Sequence, residues 1–170
     1  MLEREIDLFW YFLMFLQLGL FLLLVVGALA AEDLSGPRIG FTYLSQESVD
    51  YAASKDTDLD NVITQFGWQF ERAFFTTRSG PRGVTALVPM LGGAEQGYLL
   101  PSISWVTGMR SPRGYEFGIG PNASVGGVGF VFTVGKTSRF GEVNFPLNLS
   151  LVSSRNGVRL SFLLGFNSAN

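Results

Sequence analysis

YEFGIGPNASVGGVGFVFTVG, residues 115–135, alternates with a period of two on both sides of a glycine pair, and that alternation decides how the rest of the chain is read. Successive side chains of a strand point to opposite faces. Tyr115, Phe117, Ile119, Pro121 and Ala123 therefore share one face, and Glu116, Gly118, Gly120, Asn122 and Ser124 the other. Beyond the glycines, Val128, Phe130, Phe132 and Val134 stand against Gly129, Val131, Thr133 and Gly135. A two-residue turn on Gly126-Gly127 would pair Val125 with Val128, Ala123 with Phe130 and Pro121 with Phe132, apolar with apolar each time.

The same pattern extends in both directions. Val143, Phe145, Leu147, Leu149 and Leu151 oppose Asn144, Pro146, Asn148 and Ser150, and Val158, Leu160, Phe162, Leu164 and Phe166 oppose Arg159, Ser161, Gly165 and Asn167. An Asn156-Gly157 turn would pair Ser153 with Leu160, Leu151 with Phe162 and Leu149 with Leu164. Upstream, Phe66, Trp68, Phe70 and Phe74 oppose Gln65, Gly67, Gln69 and Glu71, while Ile103 and Trp105 oppose Ser102, Ser104 and Gly108. Residues 38–44 and 84–91 read as weaker strands. The pattern predicts an all-β domain over residues 37–170, an antiparallel up-and-down barrel of about eight strands that closes on itself and leaves no open edge.

Composition assigns the faces. Of 170 residues, 47% are hydrophobic, 14% aromatic and only 15% charged, against roughly 25% charged in an ordinary soluble domain. The polar face of the strands carries Gly, Ser, Asn and Thr more than Lys or Glu, which suits a cramped interior better than water. The expectation is that Phe66, Trp68, Phe70, Trp105, Phe117, Phe130, Phe132, Phe145, Phe162 and Phe166 face membrane lipid. There is no Cys and no His, which removes thiolate nucleophiles, disulfides, the usual zinc ligands and the Ser-His-Asp arrangement. A net charge of −2 without a basic tract argues against a nucleic-acid partner.

On this pattern, over about residues 37–166, the chain resembles the small eight-stranded outer-membrane β-barrels, the class of OmpA and OmpX. The resemblance implies a barrel in the bacterial outer membrane. That class has long outer loops and typically ends on an aromatic residue; here the only long connection is 47–60, and Phe166 is followed by four more residues.

Residues 8–31 form a nearly unbroken apolar run of bilayer-spanning length, with Gln17 as the exception. Ala28-Leu29-Ala30 offers a small-x-small cleavage site, whereas Glu3, Arg4, Glu5 and Asp7 are net acidic where a signal peptide is normally basic. Residues 1–30 are therefore expected to form a hydrophobic helix, either a signal peptide or an uncleaved anchor, joined to the barrel by a linker at 31–36.

Few side chains suggest chemistry. Asp56, Asp58 and Asp60 space their carboxylates as a calcium loop begins, but Asn61 stands where an EF-hand needs Gly and Gly67 where it needs Glu. Gly135-Lys136-Thr137 resembles the end of a phosphate-binding loop, yet it sits in a strand pattern without the earlier glycine. Glu71, Arg110, Glu116 and Arg159 lie on the polar face, and Arg110 and Glu116 flank one short hairpin as an expected interior charge pair. Acidic residues Glu47, Asp50, Asp56, Asp58 and Asp60 gather at one rim, and Arg78, Arg82, Arg113, Lys136 and Arg139 at the other.

No catalytic residue, cofactor or metal is assigned. The expected function is non-enzymatic: a structural, lipid-contacting or partner-binding envelope barrel. One alternative is an accessory subunit of an inner-membrane complex, held by an uncleaved helix with its β-domain in the periplasm beside other membrane-protein subunits. The other is a soluble barrel binding an apolar ligand among Phe66, Trp68, Trp105, Phe130 and Phe162.

Overall fold

Hydrogen bonding of each strand to the next builds the molecule outward from the hairpin at 115–135. The computed structural model describes residues 35–77 and 80–168. The expected helix at 1–30 lies outside them. In chain order the elements are β1 (Gly36–Leu44), α1 (Gln46–Ala53), β2 (Val62–Thr76), β3 (Arg82–Gly92), a short 3-10 turn (Ala94–Gln96), β4 (Leu100–Arg110), β5 (Tyr115–Ser124), β6 (Gly127–Phe140), β7 (Val143–Ser154), β8 (Gly157–Gly165) and β9 (Asn167–Ser168). Every ladder is antiparallel, each of the first eight strands pairs with its sequence neighbour, and β8 pairs with β1. The result is a closed eight-stranded up-and-down barrel. The two residues of β9 continue the β8 register on β7, Asn144 facing Asn167 and Val143 facing Ser168.

The registers fix the barrel's shape. A line across the strands from position 40 passes 65, 92, 100, 126, 125, 158 and 153, extended beyond strand ends where needed, and meets β1 again at position 50. The stagger is thus ten residues. Eight strands with this stagger tilt by about 40°, and the interior is then just wide enough for side chains to fill. Each residue advances about 2.5 Å along the axis at that tilt, so ten residues span about 25 Å. Neighbouring strands approach so closely that a Cβ at Gly120, on the inner face, would lie 1.7 Å from the Trp105 carbonyl oxygen.

Both tight hairpins differ from the sequence reading by two residues in register. The observed pairs are Ala123 with Val128 and Pro121 with Phe130, and likewise Leu151 with Leu160 and Leu149 with Phe162. The turns are Val125-Gly126 and Arg155-Asn156, and the positive φ falls on the following glycine, 104° at Gly127 and 117° at Gly157. Ser124 and Ser154 each donate a side-chain hydrogen bond to that glycine's carbonyl, at 3.3 and 3.0 Å. A shift of two leaves every side chain on its own face, so the apolar-with-apolar test accepts either register.

The 47–60 connection also differs from a plain loop, since it opens with α1. Ser45 and Glu47 are the start signals, but the Ser45 hydroxyl accepts a hydrogen bond from the Val158 amide (3.0 Å) instead of capping the helix. This ties α1 to the first turn of β8.

The interior divides by strand. Arg38, Thr42, Glu71, Arg110, Asn122, Asn144 and Ser161 are buried, and so are Val84, Ala86 and Met90 of β3 and Val131, Val152 and Leu163. A second apolar cluster of Leu44, Leu59 and Ile63, packed by Val49, Ala52, Tyr98 and Leu100, closes over the end that carries α1.

Candidate functional site

Three parts of the barrel hold its chemistry: a charge network at one end of the lumen, a cavity at the other, and the outer face.

At the end where β1 begins, Arg110 on the last residue of β4 reaches inward over β3 to β2. Its Nη1 donates to Glu71 Oε1 at 2.5 Å and its Nη2 to Glu71 Oε2 at 2.7 Å. The same guanidinium donates through Nε (3.0 Å) and Nη2 (2.6 Å) to Glu116 Oε2 on β5. The other Glu116 oxygen accepts from Asn148 Nδ2 at 3.0 Å and Thr137 Oγ1 at 3.3 Å. Gln69 donates to Glu71 at 2.8 Å and accepts from Arg38 Nε at 3.2 Å. Arg38, Arg110, Glu71 and Glu116 thus form a hydrogen-bonded set of two cations and two anions, which is how charge survives burial. The partnership of Glu71 with Arg110 is the feature that sequence reasoning missed. Their strands are separated by β3, so no single hairpin register relates them; the curvature of the sheet over β3 brings them together.

At the opposite end, Arg159 of β8 crosses the lumen, to β5. It donates to Ser124 Oγ at 2.7 Å and to Asn122 Oδ1 at 2.8 Å. Asn122 in turn donates to Ser104 Oγ at 2.9 Å. No carboxylate among the described residues forms an ion pair with Arg159. Above it lies a cavity of about 290 Å³ at the barrel mouth, and below it a lumenal cavity of about 90 Å³; Arg159 borders both.

Asp56, Asp58 and Asp60 stand on the loop over this mouth, and the structure does not gather them. Among the described residues no three carboxylates come together as a metal site would require. The loop is held instead through its backbone, by Asp58 N–H donating to the Tyr98 hydroxyl (3.1 Å) and Asp60 N–H to Gln96 Oε1 (2.9 Å). Glu95 fastens the 3-10 turn to β2, accepting from the Thr64 amide at 2.8 Å and from the Thr64 hydroxyl. Desolvation raises the Glu95 carboxyl, and its hydrogen bonds, from Thr64, Gln96 and its own backbone, together outweigh this and hold the group below the usual carboxylate value. Lys136 points outward from β6, its Nζ 5.1 Å from the centre of the Tyr115 ring, so Gly135-Lys136-Thr137 is a length of strand rather than a phosphate loop.

On the outer face, Phe66, Trp68, Trp105, Phe117, Phe130, Phe132, Phe145, Phe162 and Phe166 are between 36% and 60% exposed, and Phe70 is partly buried. Phe66, Trp68, Trp105, Phe130 and Phe162 therefore line no interior pocket, and the ligand-binding alternative built on them is corrected. Their faces look outward because the opposite face of each strand has to fill a lumen too narrow for large aromatics. Among the described residues, Arg72 and Lys136 are the only charged side chains at outward positions of the eight strands, both towards the end where β1 begins. The Trp105 indole N–H donates to Thr85 Oγ1 on the neighbouring strand at 2.8 Å, and Thr85 and Thr107 hydroxyls meet at 3.2 Å.

Comparison with protein-family models, with curated proteins and with solved structures finds no match to this chain.

Proposed function

We propose that this chain is a non-enzymatic barrel of the bacterial outer membrane, with a structural, lipid-contacting or partner-binding role, similar in kind to OmpA and OmpX. The observation that carries the proposal is the closed barrel's outer face, an apolar surface whose only charged side chains among the described residues are Arg72 and Lys136. Water would make such a surface a severe aggregation liability, whereas lipid is its natural solvent. Closure removes the unpaired strand edges that a bilayer does not tolerate. The polar atoms on that face support the same reading, since the Trp105 indole and the Thr85 and Thr107 hydroxyls bond one another rather than wait for water. The lumen is bridged from β2 to β4 and β5 by Glu71, Arg110 and Glu116, which supports a plugged barrel over a conducting one.

The test is fluorescence of the full chain carrying Trp10→Phe, which leaves Trp68 and Trp105 as its tryptophans, reconstituted in vesicles. Trp68 and Trp105 should be quenched by lipids brominated on the acyl chain and spared by aqueous iodide, and a thiol label at position 132 should resist water-soluble reagents. Quenching of both tryptophans by iodide would reject the lipid-facing assignment and favour an anchored β-domain in the periplasm.

A further inference from the structure

The mouth cavity and the lone arginine beneath it have no role in the reading above. The cavity is formed where α1, the loop following it and the chain around Tyr98 fold over the open end of the barrel. Its walls are more apolar than polar, with Leu44, Leu59, Ile63, Tyr98 and Leu100 beside hydroxyl and amide side chains such as Ser48, Thr57 and Gln65, and its floor is the guanidinium of Arg159. Pockets that take small molecules are mostly apolar, with few polar groups placed to orient the ligand, and begin at about 300 Å³; this one, at about 290 Å³, sits at that limit.

The chemistry of the floor selects the occupant. An arginine has five N–H donors, and among the described residues Arg159 bonds to two neutral oxygens, on Ser124 and Asn122. Arg110 at the other end is fully answered by carboxylates. A partly buried cation without a counter-charge gains far more from an anion than a solvated one does, because the surroundings screen the attraction less. Among the described residues no Asp or Glu lines the cavity, and the two charged residues that do, Arg159 and Lys55, are both cations. The carboxylates of the rim belong to the outside of the loop.

We infer that the mouth cavity binds a small anionic amphiphile, its acidic head on Arg159 and its hydrocarbon chain among Leu44, Leu59, Ile63, Tyr98 and Leu100. One cation on the floor fits a monoanion, and the cavity's size fits a chain of medium length rather than a whole phospholipid.

Octanoate is the probe. The full chain, in nanodiscs of zwitterionic phosphatidylcholine, would be titrated with octanoate, octanol and acetate while the methyl NMR signals of Leu59 and Ile63 are followed. Octanoate should shift these signals saturably, octanol should bind at least tenfold more weakly, and acetate should leave them in place. Arg159→Gln should weaken octanoate at least tenfold, with the amide signals of β7 as the control for folding. The comparison of octanoate with octanol needs no variant, so it decides the matter even if Arg159→Gln does not fold. Equal binding of the two, or shifts confined to outward methyls such as Leu149 and Leu151, would overturn the inference. A chain that stayed out of nanodiscs would count against the membrane reading alone, and the same titration would then be run on it in water.

Discussion

Each end of the lumen holds an arginine that reaches inward to other strands, Arg110 buried and Arg159 half-buried, and the two are stabilised differently. Arg110 meets Glu71 and Glu116 within 2.5–3.0 Å, and Arg38 completes a set with no net charge. Arg159 meets a hydroxyl and an amide oxygen, and the space above it is a cavity rather than a carboxylate. The comparison teaches that the narrow lumen imposes one geometry on both ends but not one electrostatic solution. The first end is a charge-balanced strut, with only Arg38 Nη2 left without a partner among the charged groups of that set. The second retains unspent attraction, as a recognition site does.

The largest effect expected from breaking this contrast is at the balanced end. Arg110→Met should cost about 3–5 kcal/mol, because it strands the buried carboxylate of Glu71 and the half-buried one of Glu116, and urea unfolding in vesicles would measure it. In a double-mutant cycle, Arg110 and Glu116 should couple by more than 0.5 kcal/mol, the limit of additivity for independent sites, with Glu71 reducing the apparent coupling because it shares the same guanidinium. Next comes the outer face midway between the ends. Phe132→Arg should cost about 2–4 kcal/mol at the bilayer midplane, while Lys136→Phe, near the rim, should change stability by less than about 1 kcal/mol.

At the mouth, Arg159→Met should cost only about 1–2 kcal/mol, since it removes two hydrogen bonds to neutral groups and strands no charge. A loss equal to that of Arg110→Met would mean that the two ends are not different after all. The smallest effect belongs to the fastening of the mouth by Glu95. Because its folded pKa is depressed, its contribution is present above the ordinary carboxylate range and is lost as pH falls through the lower folded value. Amide exchange at Thr64 should therefore quicken in acid, by an amount worth less than about 1 kcal/mol for so exposed a group, and Glu95→Gln should abolish that pH dependence.

The strands and their faces were legible because period-two alternation survives wherever one face is apolar and the other is not. Strand β3 was harder to read, since Val84, Ala86 and Met90 point inward opposite Leu87 and Leu91 and blur the alternation. The registers at both tight turns were legible only to within two residues, because the tests of face and pairing are blind to a double shift and the turns sit one residue earlier than the Gly126-Gly127 and Asn156-Gly157 motifs suggest, leaving the positive φ on the second residue of each motif. Helix α1 carried its signals at Ser45 and Glu47, but eight residues give little periodicity to weigh against an acidic loop. Of the charge network, Arg110 and Glu116 could be related through their shared hairpin. Glu71 with Arg110 depends on the curvature of the sheet across β3, and Arg159 with Asn122 on strands facing one another across the lumen, neither of which follows from a local spacing.

Closure also sets an order of events. Seven ladders join strands adjacent in the chain, but the seam between β1 and β8 joins residues far apart, as in the buried hydrogen bond between the Thr42 and Ser161 hydroxyls, 119 positions distant and 2.6 Å long. The first seven strands can assemble as a growing meander, each hairpin paying a small loop-closure cost, and throughout that time the sheet has two open edges. Only β8, the last strand of the barrel, removes both at once. Folding is therefore expected to show a fast phase of hairpin formation followed by a single slow, cooperative seam-closing step, and the interval between them is when this apolar sheet is most exposed to pairing with another copy of itself.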